Sequence, residues 1–237
     1  MKCLLLFAMI LVQNSVVYCQ NDPFVSNINI TNNAMLEVRD ITGKKVPTGK
    51  EVAVEGSAMV NEHFEKGMVK FKNGQQFKDV LLNLSLVNNR LYFRKDSTEM
   101  IFLIPVEQFI LPLTDEGKEE AAIFRSGYPA VKDLSSNSFL EILNEGSKLH
   151  LLKYRYKTVA EHYVYGGPER NEYKLKSRLF IFNVGNRQMV EIGNTIKSIK
   201  KALPEFKTAI DQFELTNKTD FKREDEIISL VKYINNL

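Results

Sequence analysis

The chain has 237 residues, 32 Lys and Arg against 29 Asp and Glu, a formal net charge of +3, and two cysteines. So even a balance gives no broad electrostatic pull toward nucleic acid, which is not expected as a partner. Both cysteines, Cys3 and Cys19, fall in the first nineteen residues, so the remainder has no disulfide framework and no thiol chemistry.

Residues 1–19 read as an export leader. Lys2 supplies the positive region, residues 3–12 are an unbroken apolar run, and Val17 and Cys19 stand where a signal peptidase accepts small side chains. The run is too short to span a bilayer core of about 30 Å, and no later segment reaches the ~20 apolar residues that a spanning helix needs. The expectation is therefore a periplasmic or extracellular protein, cleaved between Cys19 and Gln20, with no transmembrane segment in the mature chain. A lipid anchor on Cys19 is disfavoured by the bulk of Tyr18 before it.

Residues 20–33 form a polar, Asn-rich lead-in, and 34–237 read as a single domain. Within it, 34–193 show period-2 alternation broken by turn residues. Strand 68–71 runs into Asn73-Gly74, a hairpin signal whose residues tolerate the positive φ of a type I′ turn, and 76–82 return. Leu82, Leu84 and Leu86 alternate with Asn83, Ser85 and Val87 up to the Asn88-Asn89 turn. Strands follow at 90–94, 99–104, 108–111, 121–125, 139–143, 148–159, 173–183 and 188–192. The segment 160–171, with Gly166-Gly167-Pro168, reads as a hairpin end. Closely spaced turns of this kind mean successive antiparallel strands rather than βαβ units.

After Gly193 the period lengthens. Ile196, Ile199, Leu203, Phe206, Ile210 and Phe213 recur at helical spacing behind an Asn194/Thr195 cap, and Pro204 should close one helix and open another. A last helix over 222–235 is capped by Asp220 or Thr219, carries Glu224, Asp225 and Glu226 in its first turn, and shows Ile227, Ile228, Val231 and Ile234 as its apolar stripe. The predicted fold class is α+β: a mainly antiparallel sheet of about ten strands, curved or split, with the helical segment 194–237 packed on it.

Several stretches together resemble a family of secreted proteins from Bacteroidota that has no assigned function. They are Val54-Glu55-Gly56-Ser57, Asn61-Glu62-His63-Phe64-Glu65-Lys66-Gly67 before the Asn73-Gly74 hairpin, residues 122–129 and the Leu203-Pro204 tail. The resemblance implies export and β architecture. It carries no catalytic or ligand residues.

No familiar chemistry emerges from the residues themselves. The histidines, His63, His150 and His162, form no HExxH pattern, and the densest cluster, Glu62-His63-Phe64-Glu65, would put only His63 and Glu65 on one face of a strand. No GxSxG elbow or phosphate-cradling loop occurs. Glu119-Glu120 and Glu224-Asp225-Glu226 are consecutive charges and not a catalytic pair. The chain is therefore expected to use no metal or cofactor and to catalyse nothing. Three N-glycan acceptor patterns, at Asn29, Asn83 and Asn217, carry no weight for a chain with a bacterial resemblance.

One asymmetric surface can be derived. On strand 148–159, Lys153, Arg155 and Lys157 share a face, and on strand 173–183, Lys174, Lys176 and Arg178 do. If the two strands pair with those faces together, six cations line one side of a hairpin. That side is either a solvated face that discourages aggregation or an anion-facing surface for envelope polysaccharide, lipid or protein. The expected function is an exported, non-catalytic binding or structural protein of the cell envelope. Alternatives are a carrier of a hydrophobic ligand such as lipid, with an apolar cavity of roughly 300–1,000 Å³, and an unrecognised enzyme with a polar cleft gathering His63 or carboxylates.

Overall fold

The computed structural model describes residues 54–115, 118–162, 170–219 and 221–237. The leader, the lead-in, residues 34–53, Gly166-Gly167-Pro168 and Asp220 lie outside the described residues. Eleven strands precede three helices: β1 (Val54–Glu55), β2 (Glu65–Phe71), β3 (Gln76–Ser85), β4 (Arg90–Lys95), β5 (Thr98–Ile101), β6 (Val106–Asp115), β7 (Lys118–Arg125), β8 (Leu140–Glu145), β9 (Leu149–His162), β10 (Arg170–Asn183) and β11 (Gln188–Ile192), then α1 (Ile196–Ala202), α2 (Lys207–Asn217) and α3 (Glu224–Asn236). The α+β class holds, with a sheet larger by one short strand than expected.

All strands join one sheet in the order β1-β10-β9-β8-β7-β6-β2-β3-β4-β5, with β11 also on β10. Neighbours are antiparallel except β1 and β10, which run parallel at Val54 and Asn171, so the sheet is mixed. Several local expectations change. The β2–β3 connection is not a type I′ turn: Gly74 alone has positive φ, at 88°, and Phe71 bonds Gln75 across a three-residue loop. Strand β5 stops at Ile101, short of the expected 104, and β6 spans Val106–Asp115, longer at both ends than the expected 108–111 and starting just past Pro105, which lacks a ladder donor. Helix α3 starts at Glu224, two residues late, without a side-chain cap, because Thr219 Oγ1 accepts from Phe221 instead. The Thr195 cap on α1 is as expected, and Pro204 opens a short 3₁₀ turn between α1 and α2.

Three apolar clusters hold the fold. The first is built from strand residues and the Leu86 turn: Val69, Phe71, Leu82, Leu84, Phe93, Phe109, Leu111 and Phe124 are all buried, with Phe109 and Phe124 stacked at 4.8 Å. Gly67 permits the tight spacing here, since a Cβ would meet Ile110 O at 2.4 Å. The second cluster joins Leu149, Leu151, Ile181 and Ile192 to Ile199, Ile210, Leu230, Val231 and Ile234 of the helices, so the apolar stripes have the covering role their spacing predicts. The third lies on the opposite face of β9 and β10, where Leu152 and Phe180 meet Tyr128 and Leu134 of the connection between β7 and β8.

Two asparagines lock these parts together. Asn83, 1% exposed, accepts from Leu84 N and donates to Asn61 O and His63 O, both at 3.0 Å, pinning the segment before β2. That burial closes the Asn83 glycan-acceptor pattern. Asn235, near the end of α3, accepts from Leu149 N at 2.9 Å and Lys148 N at 3.1 Å, and donates to Leu149 O at 2.9 Å and Asn144 Oδ1 at 3.0 Å. Its amide covers Gly146, where a Cβ would come within 2.2 Å of it.

Candidate functional site

The six predicted cations do not share a face. Strands β9 and β10 pair with Lys153 opposite Leu179, Arg155 opposite Ser177 and Lys157 opposite Leu175, while Lys174, Lys176 and Arg178 lie opposite Thr158, Tyr156 and Tyr154. Residues directly opposite project to the same side, so three cations point each way. Register follows burial: Leu149, Leu151 and Ile181 turn toward the helices, Leu152 and Phe180 toward the β7–β8 connection. The hairpin root is buried on both sides, and a one-residue slip would reverse every side chain.

Most of these charges are already engaged inside the molecule. Lys153 pairs with Glu224 at the start of α3, 2.7 Å away. Arg155 grips the buried Glu141 at 2.6 Å. Lys157 donates to the carbonyls of Ser57 at 2.8 Å and Met59 at 2.6 Å, and burial lowers its pKa. On the other face, Arg178 makes two 2.8 Å bonds to Asp133, which hold the carboxyl below its ordinary pKa, and lies over the Tyr154 and Tyr156 rings. Lys174 pairs with Glu172. Only Lys174 and Lys176 are exposed. Lys153, Arg155, Lys157 and Arg178 fasten the hairpin to its surroundings, and the six do not form one anion-facing plate.

The histidines are equally dispersed. His63 is exposed. His150 lies among Tyr128, Phe182, Glu145 and Arg125: its Nδ1 is 3.1 Å from Tyr128 Oη and its Nε2 is 3.9 Å from Glu145. Burial pushes the imidazole below its ordinary pKa despite the Glu145 charge. Glu145 is itself held low by hydrogen bonds from Arg125 at 2.6 and 3.0 Å. Among the described residues no group of three or more His, Cys, Asp or Glu is arranged to hold a metal ion.

A cleft of about 550 Å³ lies elsewhere, between the β3–β4 turn, the stretch from Ile101 to Val106 and the segment leading into β8. Its lining combines the apolar Leu91, Phe102, Ile104 and Phe139 with the polar Asn88, Arg90, Ser135, Asn137 and Ser138. The geometry is well supported. Asn89, in the left-handed region at φ 53°, spends both ends of its amide on the Phe139 backbone, at 2.7 and 3.2 Å. The Phe139 ring meets Phe109 edge-on at 5.1 Å, and Phe102 sits between Phe71 and Phe93. Ser126 Oγ donates to Val106 O at 2.8 Å, tying the β7 end to the β6 start.

Sequence reasoning missed this cleft. Asn88-Asn89 reads as a turn, and the polar run around Ser135 and Asn137 lies between two expected strands. Their meeting depends on the Asn89–Phe139 bonds across 50 residues, which no local pattern encodes. Comparison with family models, curated proteins and solved structures finds no match for the chain.

Proposed function

We propose that the chain is an exported, non-catalytic binding protein of the cell envelope, and that it takes its ligand in the cleft between the β3–β4 turn, residues 101–106 and residues 135–139. The cleft itself carries this reading. It has the size range of small-ligand sites and a lining of aromatic and aliphatic residues with a few polar ones. Among the described residues its lining contains no carboxylate, histidine or cysteine, so no general acid or base of the usual kinds stands there to activate its serines. Export rests on the leader pattern of residues 1–19 and on the resemblance to secreted Bacteroidota proteins.

The carrier alternative finds less support. Between sheet and helices, where a lipid would lie, Ile199, Ile210, Leu230 and Ile234 are wholly buried against Leu149 and Leu151. A cavity of about 250 Å³ stands at the rim of that layer, beside Leu203 and Pro204. A curved sheet agrees with one hydrogen bond in particular. Lys157 N donates to Leu86 O, although β9 and β3 lie five places apart in the sheet order. In a flat sheet they would be separated by about 24 Å.

Backbone amide NMR of the exported protein, titrated with saccharide and lipid fractions from a bacterial envelope, tests the proposal. The expected result is saturable shifts concentrated at residues 88–91, 101–106 and 135–139. Saturable shifts centred on the helices, or none with any fraction, would overturn it.

A further inference from the structure

The cleft's lining also bears on the class of its ligand, an inference that rests on the binding reading above. We infer that the ligand is an acidic saccharide, a sugar bearing a carboxylate or sulfate beside neutral hydroxyls. Three observations meet here.

Charge comes first. Among the described residues Arg90 is the one charged member of the lining, it is exposed at the start of β4, and it forms no ion pair with a described residue. Its backbone is held locally, because Asn88 Oδ1 accepts from Arg90 N at 3.1 Å, while the side chain reaches solvent. A guanidinium presents a planar fork of donors that matches carboxylate or sulfate oxygens two at a time. With no acid in the lining to compete, this fork is available to an anion.

Hydroxyl recognition comes second. Ser135 Oγ accepts from Asn137 N at 3.2 Å and Ser138 Oγ accepts from Ser135 N at 3.0 Å. These bonds orient the two hydroxyl oxygens while leaving their hydrogens to be donated outward. The Asn137 side-chain amide bonds to no described residue, in contrast to Asn89, whose amide is consumed by Phe139. Two hydroxyls and an amide with donors to spare thus belong to the lining residues, and an amide both donates and accepts, as a sugar hydroxyl does.

The third observation is the apolar part of the lining. Phe102, Ile104, Pro105 and Phe139 form an apolar wall on which the C–H face of a pyranose ring can rest. An acyl chain would use this wall but leave Arg90 and Asn137 unmatched. A bare inorganic anion would use Arg90 and leave the wall empty. A charged sugar uses both.

The test is calorimetric titration of the exported protein with three tetrasaccharides of equal length, one built of uronate units, one sulfated and one neutral, in about 0.05 M and about 0.5 M salt. At low salt the uronate or the sulfated sugar should bind about fivefold more tightly than the neutral one, and the advantage should shrink in high salt. Arg90→Gln should lower the acidic sugar to the neutral level without changing the thermal midpoint, and Asn137→Ala should weaken acidic and neutral sugars alike. Which acidic sugar prevails identifies the anionic group. Equal binding of acidic and neutral sugars, or an acidic preference that survives Arg90→Gln, overturns the inference; the cleft remains the binding site if Asn137→Ala still weakens binding. Saccharide binding indifferent to both substitutions overturns inference and cleft reading together. No binding of any of the three overturns the inference, and the NMR titration then decides the fate of the cleft.

Discussion

The region from β2 to β7 and the region from β8 to α3 enclose their interiors by different means. In the first, strand side chains and the Leu86 turn meet one another, with the Phe71, Phe93 and Phe102 rings gathered at one end and Phe109 stacked on Phe124. In the second, helices cover one face of β9 and β10 and the β7–β8 connection covers the other. Coverage leaves little room for recognition: Lys153, Arg155 and Arg178 are committed to Glu224, Glu141 and Asp133. The open cleft lies beside the first region. The cleft proposed for binding lies beside the strand-built region, and the richest run of charge lies in the covered one.

Truncating each interior tests this contrast most severely. Phe109→Ala removes a fully buried ring stacked on Phe124 and touching Phe139, and should destabilise by about 3–5 kcal/mol, with loss of cleft binding before global unfolding. Leu230→Ala, fully buried among the helices, should cost about 2–5 kcal/mol and leave cleft affinity unchanged in the folded fraction. Denaturant titrations followed by ligand binding report both. If Leu230→Ala also abolishes binding, the two regions are not as separate as their packing suggests.

A smaller effect is expected at the seam between α3 and the β8–β9 turn. Asn235→Ala leaves the Leu149 and Lys148 N–H groups without their partner and should destabilise by about 1–3 kcal/mol. Gly146→Ala should do similar damage by displacing the Asn235 amide. Hydrogen exchange should then rise in α3 and at residues 144–149 while β2 to β4 stay protected. Uniform loss of protection would mean that the molecule opens only as a whole.

The smallest effect is the response to acid around His150. Burial lowers its folded-state pKa below the unfolded value of about 6.5, so its stabilising share is present above that pH and lost as the pH falls through the folded value. Glu145, lowered by Arg125, acts in the same direction at more acid pH: its share is present above the unfolded carboxylate pKa and lost below it. Both groups are partly solvated, so each contributes under about 1 kcal/mol. Melting curves between pH 7.5 and pH 4 should show falling stability, and His150→Gln should flatten the upper part of that decline. An unchanged slope would remove His150 as its source.

The β-rich body and the helical tail were legible because period and burial are local: Ile196, Ile199, Ile210 and Ile234 announce a buried stripe whatever they touch. The Thr195 cap and the Pro204 break were legible for the same reason. The face on which Lys153 or Lys176 lies was not. It depends on β9–β10 register, which is set by burial of Leu151 and Leu152 on opposite sides, and a reading that assumes one inward face places half the charges wrongly. The cleft was illegible for a further reason. Asn89 and Phe139 have no sequence relation until β-strand pairing brings them together, and their side chains resemble those of any turn.

The Asn235 amide also has a consequence for how the chain reaches its native state. Its four bonds join residues separated by 86 to 91 positions, so this closure is a late, non-local event by any ordinary route. Until it occurs, Leu149 and Leu151 are left without their helical cover, a sticky hairpin in an otherwise collapsing molecule. Refolding yield should therefore depend more steeply on protein concentration than final stability does, and a helper that shields the β8–β9 hairpin would raise that yield without altering the finished protein.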